Sequence, residues 1–548
     1  MSKPVRIAFL GGLGEIGRNC MAVEQDKKIL LIDCGLMFPK AEHGDDIDVI
    51  IPDFTWLLER KDRIVGCVAT HGHEDHVGAL QYLLQDASFP LYGSALTLGL
   101  ARNRIAEARL TDKTKFIEVS DNDRIKIGPF DVEFIPVTHS VPHAHAIALH
   151  TAQGVIVHSG DFKLDRNPIV GEAWDDAAFE AIAAERPIKA LMCDSTNVFA
   201  PLPGRSESTL GVPLSELIAS SSGMVVATTF ASNVARLETV IMAANEAGRE
   251  VALSGKSLWR MSDAAKGCGY LQNAPRLLTE EQGMELPRKN VVFIVTGCQG
   301  ESRAALSKIA RGDHPAIRLS PGDTILFSSR TIPGNETRIG WLHNQLVLQG
   351  LEVINDYNGF VHVSGHPARM ELERMYQLVR PAIAVPTHGE ARHLREHVLF
   401  AKNLQVPEAV EATNGAVIRL KKGAAEIVGH VPSGYLALDG SSLISTDSTV
   451  IRTRRKIRDD GFCAVSLVLD KRGKLLAPPK FSAPGSLDPE EDGELVLSMR
   501  EEMEEIIARG RFEGRMDELE KKLRNIMRRT LRDELGKKPV LDVHIHRI

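Results

Sequence analysis

The stretch Thr70-His71-Gly72-His73-Glu74-Asp75-His76 gathers four potential metal ligands, His71, His73, Asp75 and His76, within six residues. Imidazole and carboxylate together suit Zn²⁺ or Mn²⁺, and a site of this kind with open positions suits hydrolysis. An apolar run, Ile64 to Ala69, precedes the stretch, and an amphipathic segment carrying Val77, Leu80, Leu83 and Leu84 follows it. This pattern predicts a strand, then a helix. At a strand end His71 and His73 point to the same side, while Asp75 and His76 open the helix and face a second position. One loop therefore offers ligands to two adjacent metals. A lone histidine is usually a polar loop residue, but H-x-H-x-D-H at the end of a buried strand is far more specific.

Other candidate ligands stand where predicted strands run out. Asp131 to His139, Gly154 to Asp161, Ala190 to Asp194 and Ala382 to His388 each read as a strand ending on an acid or a histidine. Strand ends on one sheet edge bring distant residues together, which assigns His139, Asp161 and His388 to the metal site. His143, His145, His150 and His158 compete for the same role. Asp33, at the end of Ile29 to Ile32, is placed to accept the outer N–H of a metal-bound histidine. His393, Glu396 and His397 fit the H-x-x-E-H pattern of inverted zinc proteases, but their helix carries the charge of a solvated face. The cluster Asp45, Asp46 and Asp48 reads first as a solvated acidic turn, with a hard-cation site as the alternative.

A chain of 548 residues must fold as several units to position these groups. Gly12-Leu13-Gly14-Glu15-Ile16-Gly17 matches the dinucleotide fingerprint, yet strands and not a helix follow it, so the glycines read as tight-turn positions. From about 210 to 350 strands and helices alternate, which implies an open parallel sheet. Its strands end in the loops Thr229 to Asn233, Thr296 to Glu301 and Ser328 to Thr331, which favour anions or simply cap helices. Residues 441–460 read as a polar linker. Beyond it, strands at Phe462 to Leu469 and Lys474 to Ala477, two helices and a final strand from Val540 make a small α+β domain. Its last helix is basic, which suits a solvated face, an RNA or a subunit contact.

The seven cysteines are odd in number and nowhere spaced C-x-x-C, so neither a disulfide framework nor a thiolate zinc site is expected. No apolar run approaches the ~18 residues of a membrane span, and the expectation is a cytoplasmic protein without membrane contact. A net charge of −6 argues against a generally basic nucleic-acid binder. It leaves room for a nuclease that handles phosphate through divalent metals and a locally basic channel.

The ligand constellation resembles the metallo-β-lactamase superfamily. With the insertion, Asp194, Ser364-Gly365-His366 and His388 resemble the motifs of its β-CASP subgroup, in which a histidine at the third motif marks RNA-directed members. Gly12 to Gly17, Thr229 to Asn233, Thr296 to Glu301, His362 to His366 and the C-terminal domain together resemble the ribonuclease J family, from which Cys298, Ser302 and Pro367 are local departures. The resemblance implies an αββα metallo-β-lactamase sandwich (1–208 and 356–440), an inserted β-CASP α/β domain (209–355), the linker (441–460) and a C-terminal α+β domain (461–548). It also implies two divalent metals, Zn or Mn, one held by His71, His73 and His139, the other by Asp75, His76 and His388, with Asp161 shared. An additional Ca or Mg would sit near Asp46, Asp48 and Asp439.

Two such cations supply hydroxide for in-line attack on a phosphodiester and hold the developing charge. His366, oriented by Asp194, is the expected proton donor to the leaving ribose oxygen. Asp75 belongs to the catalytic set as a ligand. His362, Val363, Ser364, Gly365, His366, Ser232 and Asn233 are expected to hold the RNA phosphates. The implied activity is 5′-to-3′ exoribonuclease on single-stranded 5′-monophosphate RNA, with an endonuclease component, in RNA decay and in maturation of rRNA and mRNA. Implied partners are a second or further copies, as a homodimer or homotetramer, and RNA-decay or ribosome-associated proteins. The alternatives are a purely endonucleolytic or DNA-directed nuclease, and a metal-binding RNA scaffold.

Overall fold

The computed structural model describes residues 4–39, 47, 49–421, 424–488, 490–510, 512 and 514–548. They divide into two compact units, Met1–Leu443 and Ile444–Ile548.

In the first unit, side-chain alternation sends neighbouring residues of one strand into different cores. Ile7 and Phe9 of the strand Val5–Gly11 enter a core that also holds Phe134, Ile147, Ile156, Met192 and Val385. Ala8 and Leu10 face Leu57, Leu80, Leu83, Leu98 and Ile105 on the other side. A strand covered on both faces has to be apolar where it is covered, and here only Arg6, near the strand's start, reaches solvent. Its sheet has eight strands, in the order Ala424–His430, Ala416–Lys421, Val5–Gly11, Cys20–Gln25, Lys28–Ile32, Ile64–Val68, Leu91–Gly93 and Phe116–Glu118. The opposing sheet has seven, in the order Glu408–Ala409, Ile383–Thr387, Ile188–Asp194, Gly154–His158, Ala144–Thr151, Phe130–Val137 and Arg124–Ile127. Helices Asp176–Glu185, Arg369–Val379 and Ala391–Asn403 cover the outer face of the second sheet through Phe179, Leu372, Met375 and Ala401. The architecture is the αββα sandwich.

Between Asp194 and His362 the chain builds a five-stranded, wholly parallel sheet, in the order Glu250–Ser254, Val291–Val295, Val225–Thr228, Thr324–Phe327 and Glu352–Ile354. Val225, Ala227 and Ile294 pack to one side and Val226, Phe293 and Ile325 to the other, so helices cover both faces.

The segment expected as a linker at 441–460 is ordered instead, with a strand at Ser442–Ser445 and a helix at Thr449–Asp460. The Ser448 hydroxyl caps that helix by accepting from Ile451 N–H, and Ile451 is its buried residue, so its polar composition is that of an amphipathic surface helix. In the second unit the strand order is Lys480–Ser482, Phe462–Leu469, Val540–Arg547. The strand expected over 474–477 is displaced to 480–482, because the turn at Asp470–Gly473 leaves only the single bridge Leu469–Leu475 before Pro478 and Pro479. Helices Gly493–Arg509 and Met516–Leu535 bury Met499, Met503, Leu523 and Met527 in the core of this unit. Among the described residues no helix is long and apolar enough to cross a membrane.

Candidate metal centre

The strand Ile64–Val68 ends just before the histidine loop, and Glu74–Val77 is a single helical turn. The amphipathic helix expected after it is broken into this turn and a second one, Leu80–Leu83. Gly78 lies at the break, where a Cβ would run into Leu36 and Glu74. From the opposite sheet come His139, two residues past Phe130–Val137, Asp161, three past Gly154–His158, Asp194, the last residue of its strand, and His388, the first past Ile383–Thr387. Both sheets therefore deliver their strand ends to one edge of the sandwich.

Two groups of ligand atoms converge there, each within 4.8 Å, and Asp161 belongs to both. The first is His71, His73, His139 and Asp161; the second is Asp75, His76, His388 and Asp161. His73 Nδ1 stands 3.0 Å from His71 Nε2 and 3.2 Å from His139 Nε2. Asp161 Oδ2 lies 3.8 Å from both of the latter and 3.3 Å from His76 Nε2. Its Oδ1 reaches His388 Nδ1 at 3.1 Å, and His388 Nε2 reaches Asp75 Oδ2 at 3.2 Å.

Outer partners fix which ring atom faces inward. His76 Nδ1 donates to Asp33 at 2.7 Å. His71 Nδ1 donates to Thr70 Oγ1 at 3.0 Å, whose hydroxyl donates to Asp33 at 2.8 Å. His139 Nδ1 donates to the Gly365 carbonyl at 2.7 Å, and His73 Nε2 meets Ser140 Oγ at 3.2 Å. Such outer contacts are how a protein aims metal-binding imidazoles. The nitrogen and carboxylate donor sets, buried except for the half-buried His73 and Asp75, and pre-aimed, fit two divalent ions of the Zn or Mn type.

Electrostatics separates the two groups. Burial pushes the proton affinity of His71 and His139 well below that of a free imidazole, and that of His73 to about 4. At His76 and His388 burial acts the same way, but the surrounding carboxylates together outweigh it and raise both, Asp161 with Asp75 and Asp33 at His76 and Asp161 with Asp194 and Asp75 at His388. Burial alone would raise Asp161, yet His388 and His76 hold it well below the usual carboxylate range.

Beside the second group, His366 Nδ1 donates to Asp194 Oδ2 at 2.7 Å. Asp194 Oδ1 accepts from Thr196 N–H at 2.8 Å and from its hydroxyl at 2.7 Å, and with Asp161, His366 and His388 Asp194 makes a further set of ligand atoms within 4.8 Å that overlaps the second group. Burial disfavours a charged His366, but Asp194 reverses that and raises its proton affinity.

The competing histidines are drawn elsewhere: His145 pairs with Asp121 at 2.8 Å, His150 with Glu133 at 2.6 Å, and the His143 ring packs on Tyr270. His158 accepts from Gly160 N–H at 3.0 Å. His397 is bound between Ser195 Oγ at 2.8 Å and the Tyr376 hydroxyl at 3.0 Å, and Glu396 pairs with Arg369, so the H-x-x-E-H pattern builds no metal site. Asn233 caps the helix Val234–Glu246 and lines a small cavity with His139, Ser364 and Gly365, which Ser232 does not line. Asp46 and Asp48 lie outside the described residues; Asp439 ends the strand Tyr435–Asp439, which pairs with Ile50–Pro52.

The glycine-rich loop does more than turn the chain. Leu13–Gly14 pairs with Gly389–Glu390, and the Gly12 carbonyl accepts from His388 N–H at 2.8 Å, which holds His388 in the left-handed region at φ +51°. Asn19, which no sequence pattern marks, sends its amide to the Asp75 carbonyl at 3.1 Å and to within 3.0 Å of His76 Nε2. Only pairing across 57 positions reveals it.

Gly35 is a second determinant of this kind. A Cβ there would stand 1.6 Å from the Asp75 carbonyl oxygen, on backbone that cannot yield without moving Asp75 and His76. Gly35→Ala is therefore expected to destabilise the fold by about 3 kcal/mol, the upper range for overpacking, and to lower metal content. Denaturant unfolding with elemental analysis checks this; a wild-type midpoint with full metal would refute it.

Comparison with known proteins places these elements. Residues 13–192 match the metallo-beta-lactamase superfamily, 222–346 the ribonuclease J beta-CASP domain, 356–404 the Zn-dependent metallo-hydrolase RNA specificity domain and 449–548 the ribonuclease J C-terminal domain. Ribonuclease J of Sinorhizobium meliloti is 38% identical over 100% of this chain and 98% of its own. Ribonuclease J of Synechocystis is 35% identical over 98% of this chain and 86% of its own, and that of Mycobacterium tuberculosis 38% over 92% and 90%. A solved Enterococcus faecalis protein of unknown function shares the fold over 76% of this chain and 100% of its own, at a TM-score of 0.51 and 16% identity.

Proposed function

The chain belongs to the ribonuclease J family of metal-dependent hydrolases, and from that membership and the paired ligand groups we propose that it is a 5′-to-3′ exoribonuclease with an endonuclease component. Its substrate in this reading is single-stranded RNA, preferably with a 5′-monophosphate, and its work is RNA decay and maturation of rRNA and mRNA. The observation that carries the reading is the sharing of Asp161 by two groups of ligand atoms, with His366 Nδ1 at 3.8 Å from the same carboxylate.

His71, His73 and His139 would hold one divalent ion, Asp75, His76 and His388 the other, with Asp161 between them. When bound, the ions supply a water nucleophile at neutral pH and neutralise charge on the phosphoryl oxygens. His366 delivers the proton to the departing ribose 3′-oxygen, and Asp194 fixes the ring for that transfer. Asn197 steadies the same turn by donating to Ser364 Oγ at 2.7 Å and to the His366 carbonyl at 3.1 Å. His362, Val363, Ser364, Gly365, Ser232 and Asn233 bind the phosphate chain and its 5′ end.

The test uses one RNA with a 5′-monophosphate, its 5′-triphosphate twin and a matched DNA, each with metal-loaded protein and with His76→Ala. Mononucleotides from the monophosphate RNA, little product from the other two and none from the variant are expected. Equal internal cutting of both RNAs would replace the exonuclease reading with an endonuclease. Absence of metal-dependent cleavage would leave an RNA scaffold.

A further inference from the structure

His362 opens the turn that carries Ser364, Gly365 and His366, and its ring is held from behind by Arg236. The Arg236 side chain is fully buried. Its Nε and Nη2 donate to the two carboxylate oxygens of Glu207 at 2.6 and 3.0 Å. Nη1 donates to the Ser328 carbonyl at 2.6 Å and Nη2 to the Val363 carbonyl at 3.2 Å. Nη1 also meets His362 Nδ1 at 3.2 Å.

A guanidinium has only donors and stays protonated, so in this contact Nδ1 has to accept. The proton of the neutral ring then sits on Nε2. Among the described residues no hydrogen bond engages Nε2, and His362 is partly exposed. Burial and the cations Arg236, Arg330 and Lys163 disfavour a second proton on the ring. Two of those cations are offset by carboxylates: Arg236 by Glu207, and Lys163 by Asp165 at 3.1 Å.

We infer that His362 reads the substrate's terminal phosphate as a neutral Nε2–H donor, in a tautomer imposed by Arg236 as a positioning residue. The inference rests on the exonuclease reading above, in which His362 belongs to the phosphate subsite. It carries a consequence for selectivity. An imidazolium would be drawn more strongly to a triphosphate than to a monophosphate, whereas one directional neutral donor does not reward the additional charge. Discrimination then rests on fit.

Two substitutions separate the ring nitrogens. His362→Gln places an amide N–H near the Nε2 position, while His362→Asn offers Arg236 an acceptor but stops short of the phosphate. Metal-loaded proteins, with His362→Ala as the truncation, are compared on 5′-monophosphate and 5′-hydroxyl RNA of one sequence in single turnover. The glutamine variant should keep the ratio of the two rates within about threefold of wild type. The asparagine and alanine variants should lower it about 10- to 100-fold, the worth of one hydrogen bond to a charged group. A glutamine variant as poor as alanine overturns the donor role. An alanine variant with the wild-type ratio, or a wild type without preference, overturns the terminal-phosphate reading itself. In ¹⁵N-histidine spectra, with His362 assigned by its loss in the glutamine variant, Nδ1 should be unprotonated; a protonated Nδ1 overturns the role of Arg236.

Discussion

Asp161→Ala should abolish hydrolysis, by about 1000-fold or more, and leave the chain short of metal. Its Oδ1 faces His388 and its Oδ2 faces His76, His71 and His139, so its carboxylate offers a ligand atom to both groups. Loss of the shared carboxylate removes a donor from each group at once and leaves five imidazoles facing Asp75 alone. A 1000-fold loss corresponds to about 4 kcal/mol, within what metal stabilisation of a phosphoryl transition state supplies. Elemental analysis of purified protein and single-turnover cleavage of 5′-monophosphate RNA measure the two effects together. Two ions per chain and a rate within about tenfold of wild type would remove Asp161 from the centre of the mechanism.

His366→Ala should behave differently: metal content is kept, and turnover falls about 100- to 10 000-fold, the range for a lost general acid. The distinction follows from geometry, because His366 is spent on Asp194 at 2.7 Å and stands 3.8 Å from Asp161. Asp194→Asn should lose part of the same factor, since an amide no longer favours the charged ring. The decisive substrate is an RNA with a 3′-bridging sulfur at the scissile bond. A thiolate leaves without a proton, so that linkage should restore most of the rate of His366→Ala. Equal defects on the oxygen and sulfur linkages would show that His366 acts by binding and not by proton transfer.

The candidate ligands His139, Asp161 and His388 are legible in the sequence as strand ends. A sheet with both faces covered needs apolar strands, and a ligand can stand only where such a strand stops. The competing histidines are harder to read. His145 and His150 lie inside the strand Ala144–Thr151, and Asp121 and Glu133 draw them away from the site across the sheet edge. The expectation of a linker at 441–460 fails because a short amphipathic helix with one buried residue, Ile451, has the composition of a polar connector. Nothing in its own window distinguishes the two.

By itself the sequence determined the candidate ligand types, their order along the chain and the parallel insertion, because each of these is written in local periodicity and in residue chemistry, whereas the two layers of sheet were implied by the family resemblance. Only the tertiary structure decided which atoms face one another. Asn19 behind His76, Gly35 under Asp75, the Gly12 carbonyl on His388 and Arg236 behind His362 are contacts between segments 40 to 376 residues apart. Such contacts depend on how closely two packed backbones approach and on which donor the surrounding groups leave unspent. Sequence spacing carries no record of either.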